Sequence, residues 1–281
     1  GRLAVDLLTA EEQGQAMIIA QRINENNNNR KNIDREITAE ALDMVENGGA
    51  LASENATIVY NAKWNKGVVG IVASRLVEAF FKPTVVLTRS NGFITGSARS
   101  VQGFDLYSAI EGCADLLENF GGHMYAAGLT LKEENLPEFA RRMDSLVKGK
   151  ITDDMTVPAV DIDAKLGFDN ITPKFSRILK QFQPFGPGNT NPVFLTENVY
   201  DAGNGRKVGA GGVHLKLDLI QESQPYHRIP AIGFNMSEYF DYIREGNAMD
   251  VCYSIVENYY KGNSSLQLRL RDIRKRDDMD L

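Results

Sequence analysis

The 281-residue chain is poor in the residues that build metal and disulfide centres: two cysteines, three histidines and one tryptophan. Cys113 and Cys252 are isolated from each other, which excludes a disulfide framework and suits a reducing cytosol. The histidines and cysteines sit in unrelated places and spell no zinc site. No apolar run approaches the roughly 20 residues of a membrane span. The N-terminus lacks the basic-then-apolar pattern of a signal peptide, so a cytoplasmic protein is expected. Positive charge is also short: 31 Lys and Arg stand against 37 Asp and Glu, a net charge of −6. That excludes a broad basic surface, and phosphate binding is expected only in a local groove of a few cations. No Walker loop, Ser-His-Asp order, paired-carboxylate motif or internal repeat is present. The first residue is Gly1 rather than Met, which reads as a fragment or a processed chain.

What is there is globular: 43% apolar and 24% charged residues, with length for two domains. From Thr9 to Glu46 the sequence reads as helix, with Thr9 as N-cap, acids in the first turn and Asn47-Gly48-Gly49 as the stop. Ile19, Ile23, Ile33, Ile37, Ala41 and Val45 form a narrow stripe, broken by the polar run Asn24 to Asn32. Residues 1–48 are therefore expected to form a long connector helix, solvated at mid-length and docked at its two ends. Residues 49–152 alternate strands (56–62, 84–88, 93–98, 128–132) with helices (68–81, 104–117, 136–148), and Asn91-Gly92 marks a hairpin. This predicts an α/β domain around a central sheet. In residues 153–281 one helix (172–182) precedes five short strands (193–199, 213–220, 228–234, 251–256, 266–273). These are expected to be antiparallel and to close into an OB-like small β-barrel, with a charged tail frayed from Arg274. The fold class is thus α/β plus β.

Several stretches could carry chemistry. In Phe120-Gly121-Gly122-His123-Met124-Tyr125-Ala126-Ala127-Gly128, two glycines leave backbone N–H groups uncovered and His123 adds a ring donor. Read as a helix start, it would press amides against a phosphate; read plainly, it is a glycine turn beside a core histidine. Gly96-Ser97-Ala98-Arg99-Ser100 ends a strand with two hydroxyls and a guanidinium, which either converge on a phosphate or leave the Arg in water. Trp64 to Leu76 is either a ligand loop opening a helix or a glycine-permitted turn with solvated Lys66 and Arg75. Gln183-Pro184-Phe185-Gly186-Pro187-Gly188-Asn189 displays Phe185 for a base or forms a structural elbow. Lys216, Arg269 and Arg271 alternate with apolar residues on predicted strands, as a phosphate track or an ordinary solvated face. Tyr253, Tyr259 and Tyr260 stack bases or pack the barrel. His214 and His227 are isolated and read as surface or satisfied histidines rather than catalysts.

GGHxxAAG, here Gly121 to Gly128, resembles the signature of the DHHA1 domain, the substrate-binding half of DHH-family phosphoesterases. Taken with Trp64 to Leu76, Gly96 to Ser100 and the Pro-Phe-Gly-Pro-Gly-Asn run, the chain resembles the RecJ family of bacterial single-strand-specific DNA exonucleases, from Gly1 nearly to Ile273. Asn65 stands where that family commonly has His, and Ala98 where Gly is frequent. The resemblance implies a connector helix (1–48), a DHHA1 substrate-binding domain (49–152) and a RecJ-type OB domain (153–281). It implies that Ser97, Arg99 and Ser100 hold a 5′ phosphate, that His123 on its Gly121-Gly122 turn contacts a phosphate facing the metals, and that Arg2 assists. Phe185, Lys216, Arg269 and Arg271 would be contacts of the OB domain with DNA. The implied activity is 5′-to-3′ exonucleolytic hydrolysis of single-stranded DNA in repair and recombination. The implied Mn²⁺ or Mg²⁺ ions belong to an N-terminal DHH domain. No Asp-His-His occurs here, so no catalytic residue or metal ligand is expected in this chain, and alone it should be inactive. Implied partners are single-stranded DNA, the DHH domain, and single-strand-binding protein or other repair proteins, but no membrane. Two alternatives stand beside this. One is a DHH/DHHA1 phosphodiesterase of short oligonucleotides or cyclic dinucleotides, against which the barrel domain argues. The other is a non-catalytic single-strand-binding or protein-docking module.

Overall fold

The computed structural model describes residues 2–276 other than 53, 223 and 261, and leaves aside the side chains of Tyr260 and Asn263. The chain forms two compact units, Gly1–Pro158 and Ala159–Leu281.

The first unit opens with two helices rather than one, α1 (Arg2–Leu8) and α2 (Gln13–Glu46). The expected N-cap at Thr9 is therefore corrected. The Thr9 hydroxyl donates backwards to the Val5 carbonyl (3.0 Å) and closes α1, because Ser and Thr hydroxyls compete for the carbonyl one turn earlier. The expected docking at both ends is met at one. Ile37 and Ala41 are buried, and Asp34 beside them pairs with Arg75 at 2.7 Å. Towards the other end Met17 and Ile18 are 67% and 72% exposed.

A β-α-β crossover follows: β1 (Thr57–Tyr60), α3 (Val69–Phe80) and β2 (Thr84–Ser90), with β1 and β2 parallel. Asn91 and Gly92 turn the chain at φ 53° and 81°, the backbone twist that a two-residue hairpin needs, and β3 (Phe93–Arg99) returns antiparallel to β2. Next come α4 (Leu106–Glu111), β4 (Leu117–His123), β5 (Ala126–Leu131) and α5 (Leu136–Lys148). The sheet order is β1-β2-β3-β5-β4. Strand alternation divides two cores. Val85, Leu87, Ile94, Ala98, Leu129 and Leu131 pack with residues of α4 and α5, whereas Val59 and Val86 pack with α3 and α2.

The predicted helix 104–117 is corrected. It stops at Glu111, and the following stretch becomes strand β4, so Gly121 and Gly122 lie in an edge strand rather than at a helix start. The reason lies at Gly122, where a Cβ would sit 2.3 Å from the Ala126 carbonyl oxygen. Only glycine lets β4 close this tightly on β5.

The second unit contains β6 (Ala164–Lys165), α6 (Pro173–Lys180), β7 (Phe194–Asp201), β8 (Arg206–Val208), β9 (His214–Gln221), β10 (Gln224–Gly233), α7 (Phe240–Arg244), β11 (Met249–Tyr260) and β12 (Asn263–Lys275). α6 is capped by the Thr172 hydroxyl, which accepts from the Phe175 N–H (3.2 Å). The ring β7-β11-β12-β10-β9 closes through a β7–β9 pairing, giving the five-stranded OB barrel that was expected. Its strands are not all antiparallel, however: β10 and β12 run parallel, and outside the ring the short β6 also pairs parallel with β7. Nor are all of them short, since β11 and β12 have 12 and 13 residues. Closing the ring in this order sets the third barrel strand beside the fifth, running the same way. Leu215, Leu217 and Leu219 point inward from β9 with Ala231, Val251, Leu268 and Leu270, and each such large aliphatic side chain contributes about 2 kcal/mol by leaving water. Tyr253 is fully buried, its hydroxyl 2.7 Å from the Thr196 hydroxyl. Burial pushes its phenol up to about 12. The expected fraying from Arg274 is also corrected: Arg274 and Arg276 both bond the buried Asp250 carboxylate (2.7 and 2.9 Å). Residues 277–281 lie outside the described residues.

Candidate nucleic-acid interface

In the first unit, strand register assembles the polar residues. Arg99 pairs across β5 Ala126 to His123 on β4, and Ser97 pairs across Gly128 to Gly121. Residues opposite each other on adjacent strands share a face, so Ser97, Arg99 and His123 lie on one side of the sheet. Arg99 and His123 are two strands, about 10 Å, apart. The Ala126 methyl lies between them, and in the next row Gly128 and Gly121 are exposed and leave a floor without side chains. This is the face that carries α3. Gly70, in the first turn of α3, admits the pair: a Cβ there would meet Arg99 Nη2 at 2.9 Å and Ser97 Oγ at 3.1 Å.

The Arg99 side chain is oriented rather than loose. Its Nη1 donates to Ser97 Oγ and to the Ala98 carbonyl, both at 2.8 Å. No acidic partner consumes its charge in any of these bonds. His123 is exposed, and its Nδ1 accepts from the Tyr125 N–H at 3.3 Å. That bond assigns the proton of a neutral ring to Nε2, leaving a donor for an anion. Ser100 faces elsewhere: its hydroxyl donates to the Phe104 carbonyl (2.8 Å). Arg2 opens α1, which packs on α2, and the structure does not bring it to Ser97, Arg99 and His123.

The Trp64 turn is structural. Trp64 is buried and donates to Glu40 of α2 (2.7 Å). Asn65 Oδ1 accepts from the Gly67 N–H (2.8 Å), shaping the turn into α3, and Lys66 is exposed.

In the second unit the outward residues of the barrel wall form a cross-strand row. Arg206 on β8 pairs with Lys216 on β9, Lys216 with Ile232 on β10, and Ile232 with Arg269 on β12. Arg271 lies two residues further along β12, and its Nε donates to Ser254 Oγ at 3.4 Å. Arg206 and Lys216 also line a hollow of about 310 Å³ with Asn204, Asp218, Pro230 and Gln267. Phe185 is elsewhere in this unit, half-buried in another hollow with Leu179, Gln183, Ile255 and Tyr259. Its loop is held by Asn189 Nδ2, which donates to the Phe182 and Pro184 carbonyls (2.8 and 3.0 Å). Of the tyrosines, Tyr253 packs the core and Tyr259 is 72% exposed, while the Tyr260 side chain lies outside the described residues.

Sequence reasoning missed Arg206, because β8 is too short to show a period. His214 is a satisfied histidine, its Nδ1 accepting from the Asn235 N–H (3.0 Å), but that its ring meets the Phe234 ring edge-on at 5.2 Å was not foreseen. Only pairing across strands brings these residues to Lys216 and Arg269.

Among the described residues no group of three or more His, Cys, Asp or Glu side chains could hold a metal ion. The divalent ions implied by the resemblance thus find no donor set in these residues.

Residues 53–149 match the DHHA1 domain and residues 162–272 match the RecJ OB domain. The chain belongs to the RecJ family. It is 34% identical over 271 residues to the single-stranded-DNA-specific exonuclease RecJ of Bacillus subtilis, covering 96% of this chain and 34% of that protein. With the RecJ of Haemophilus influenzae it shares 28% identity, over 95% of this chain and 47% of that protein. The chain thus spans between a third and a half of these RecJ relatives. The same fold is seen in the crystal structure of RecJ with Mn²⁺ from Thermus thermophilus, with a TM-score of 0.76 over 98% of this chain and 38% of that one, at 22% identity. Among the described residues of this RecJ-family chain no helix is long and apolar enough to cross a membrane.

Proposed function

We propose that the chain is the DNA-holding portion of a single-stranded-DNA-specific 5′-to-3′ exonuclease, acting in the cytoplasm in repair and recombination. The observation that carries this is the row Arg99–Ala126–His123 beside the glycine floor, preceding an OB barrel in the same chain. In this reading residues 1–48 are a connector, 49–152 bind the 5′ end and 153–281 guide the strand. Arg99 grips the terminal phosphate through its guanidinium fork, Ser97 orients Arg99, and His123 donates from Nε2 to a phosphate. The bare Gly121 and Gly128 backbone lets the sugar-phosphate approach. Lys216, Arg269 and Arg271 contact the incoming strand. Arg2, Ser100 and Phe185 are weaker candidates for such contacts, because each stands apart from these rows or is bonded elsewhere.

Hydrolysis itself requires divalent ions, Mn²⁺ or Mg²⁺, which a DHH domain of the full enzyme supplies. The apolar residues Val5, Leu8, Met17 and Ile18, all at least 59% exposed on α1 and α2, offer that domain a surface to cover. They equally favour a second reading, in which the chain is a docking module for single-strand-binding protein or another repair protein. Two assays on the 281-residue chain separate these readings. As a DNA-holding portion it binds single-stranded DNA with steep salt dependence and releases no nucleotide with Mn²⁺. Clear turnover by pure protein would contradict the assignment of the metals to another domain. Binding to protein partners but not to DNA would favour the docking module.

A further inference from the structure

Phe234 is a large apolar side chain left 47% exposed at the end of β10, on the outer side of the barrel. Its surroundings are cationic and aromatic. The Arg269 guanidinium lies 5.2 Å from its ring centroid. The His214 ring meets it edge-on, at 5.2 Å and 73°. His214 is itself fixed: its Nδ1 accepts from the Asn235 N–H at 3.0 Å, and the adjoining Gly209 has no room for a Cβ, which would fall 2.7 Å from the ring. The aromatic plane is thus braced by two neighbours while much of it remains in water.

Phe234 also continues a stripe. Residues two apart on a strand face the same way, so Pro230 and Ile232 follow one another along the outside of β10 and Phe234, one residue past its end, continues their line, all at least partly exposed. Cations flank this stripe on both sides, Lys216 and Arg206 across β9 and β8, and Arg269 across β12. Asp218 stands in the same face, with its Oδ2 taken by Asn204 Nδ2 (3.1 Å). An apolar and aromatic strip between two lines of positive charge is complementary to one kind of polymer: an unpaired strand whose bases lie on the strip and whose phosphates reach the cations. A duplex keeps its base faces stacked inside and cannot offer one to Phe234.

We infer that Phe234, braced by His214 and Arg269, is a base-stacking residue that makes this surface select single-stranded over double-stranded DNA. This inference rests on the DNA-holding function proposed above and adds a residue that decides strand specificity. Stacking reads the face of a base and not its edge, so the subsite tolerates any sequence.

The test is fluorescence anisotropy with the 281-residue chain at low salt. The probes are a single-stranded oligonucleotide, an abasic strand of the same number of phosphates, and the matching duplex. Phe234→Ala should weaken the ordinary strand about 5- to 150-fold, the usual effect of removing one stacked base, and should leave abasic and duplex binding unchanged. Phe234→Tyr should retain affinity. Phe234→Leu keeps an apolar side chain without an aromatic plane, so it guards against a folding defect in the Ala variant and should lose affinity on the ordinary strand alone. Unchanged binding of the ordinary strand by the Leu variant overturns the inference, as does an equal loss on the abasic strand. If wild-type protein binds no single strand at all, the DNA-holding function itself fails and this inference falls with it.

Discussion

Replacing Gly70 by alanine should separate phosphate recognition from stability. The new Cβ would sit 2.9 Å from Arg99 Nη2, 3.1 Å from Ser97 Oγ and 3.5 Å from Ser97 Cβ. The closest of these atoms is the tip of a flexible side chain, so the guanidinium moves rather than the helix. Moving it breaks the two 2.8 Å bonds from Nη1 to Ser97 Oγ and the Ala98 carbonyl, a net cost of about 1–2 kcal/mol. Against this, alanine gains up to about 1 kcal/mol over glycine in a helix, and less in the first turn, where Gly70 lies. Folding stability should therefore change by no more than about 1 kcal/mol, a shift of a few degrees in Tm. Binding should respond more strongly. A displaced Arg99 forfeits a charge-assisted contact worth about 1.5–3 kcal/mol, so a 5′-phosphorylated strand should weaken about 10- to 150-fold. A 5′-hydroxyl strand should be little affected. Anisotropy with both oligonucleotides, next to a thermal melt, reads the two effects. If Gly70→Ala and Arg99→Ala both keep the preference for the 5′ phosphate, Arg99 is not its ligand and the reasoning fails.

Lys216→Ala should weaken binding about equally for all sequences and reduce the slope of log affinity against log salt by about 1, as read from anisotropy over a salt series. The buried Asp250 carboxylate should set the acid limit of the second unit. Burial alone would raise its pKa, but the Asn198 N–H and the Arg274 and Arg276 guanidiniums outweigh burial and hold it below the ordinary value. A carboxylate depressed in the folded state stabilises above its unfolded pKa near 4, and that contribution is lost as pH falls through the lower folded value. Melts between pH 7 and pH 2 should show wild-type stability dropping below about pH 4. Asp250→Ala should be destabilised by roughly 2–3 kcal/mol at pH 7, at the low end for a buried pair because both arginines reach water, and should lose less on acidification. Cys113 is buried and its thiol is pushed up to about 11 by that burial, so it should resist alkylation at pH 8 in the folded protein and react only after denaturation; mass spectrometry of labelled peptides reads the difference.

The parts of the fold legible in sequence were those with strong local signals. Asn91-Gly92 forced its turn, and the strand and helix patterns at 56–62, 68–81, 84–88, 93–98 and 136–148 placed β1, α3, β2, β3 and α5. Thr9 misled because its hydroxyl serves the turn behind it as readily as the turn ahead. Gly121-Gly122 misled because glycine marks close backbone approach without saying what approaches; here it is β5 and not a helix. At the candidate site, Ser97, Arg99 and His123 were legible because each sits in a dense motif. Phe234, His214 and Arg206 were not, since each is alone in sequence and gains its neighbours only through pairing across strands.

The most direct measurement is binding of the 281-residue chain to three DNA probes at low and moderate salt: a 5′-phosphorylated single strand, the same strand with a 5′ hydroxyl, and the duplex. A DNA-holding portion should bind the phosphorylated single strand tightest, with affinity falling steeply as salt rises. Equal affinity for duplex and single strand, or binding indifferent to salt and to the 5′ phosphate, would contradict it.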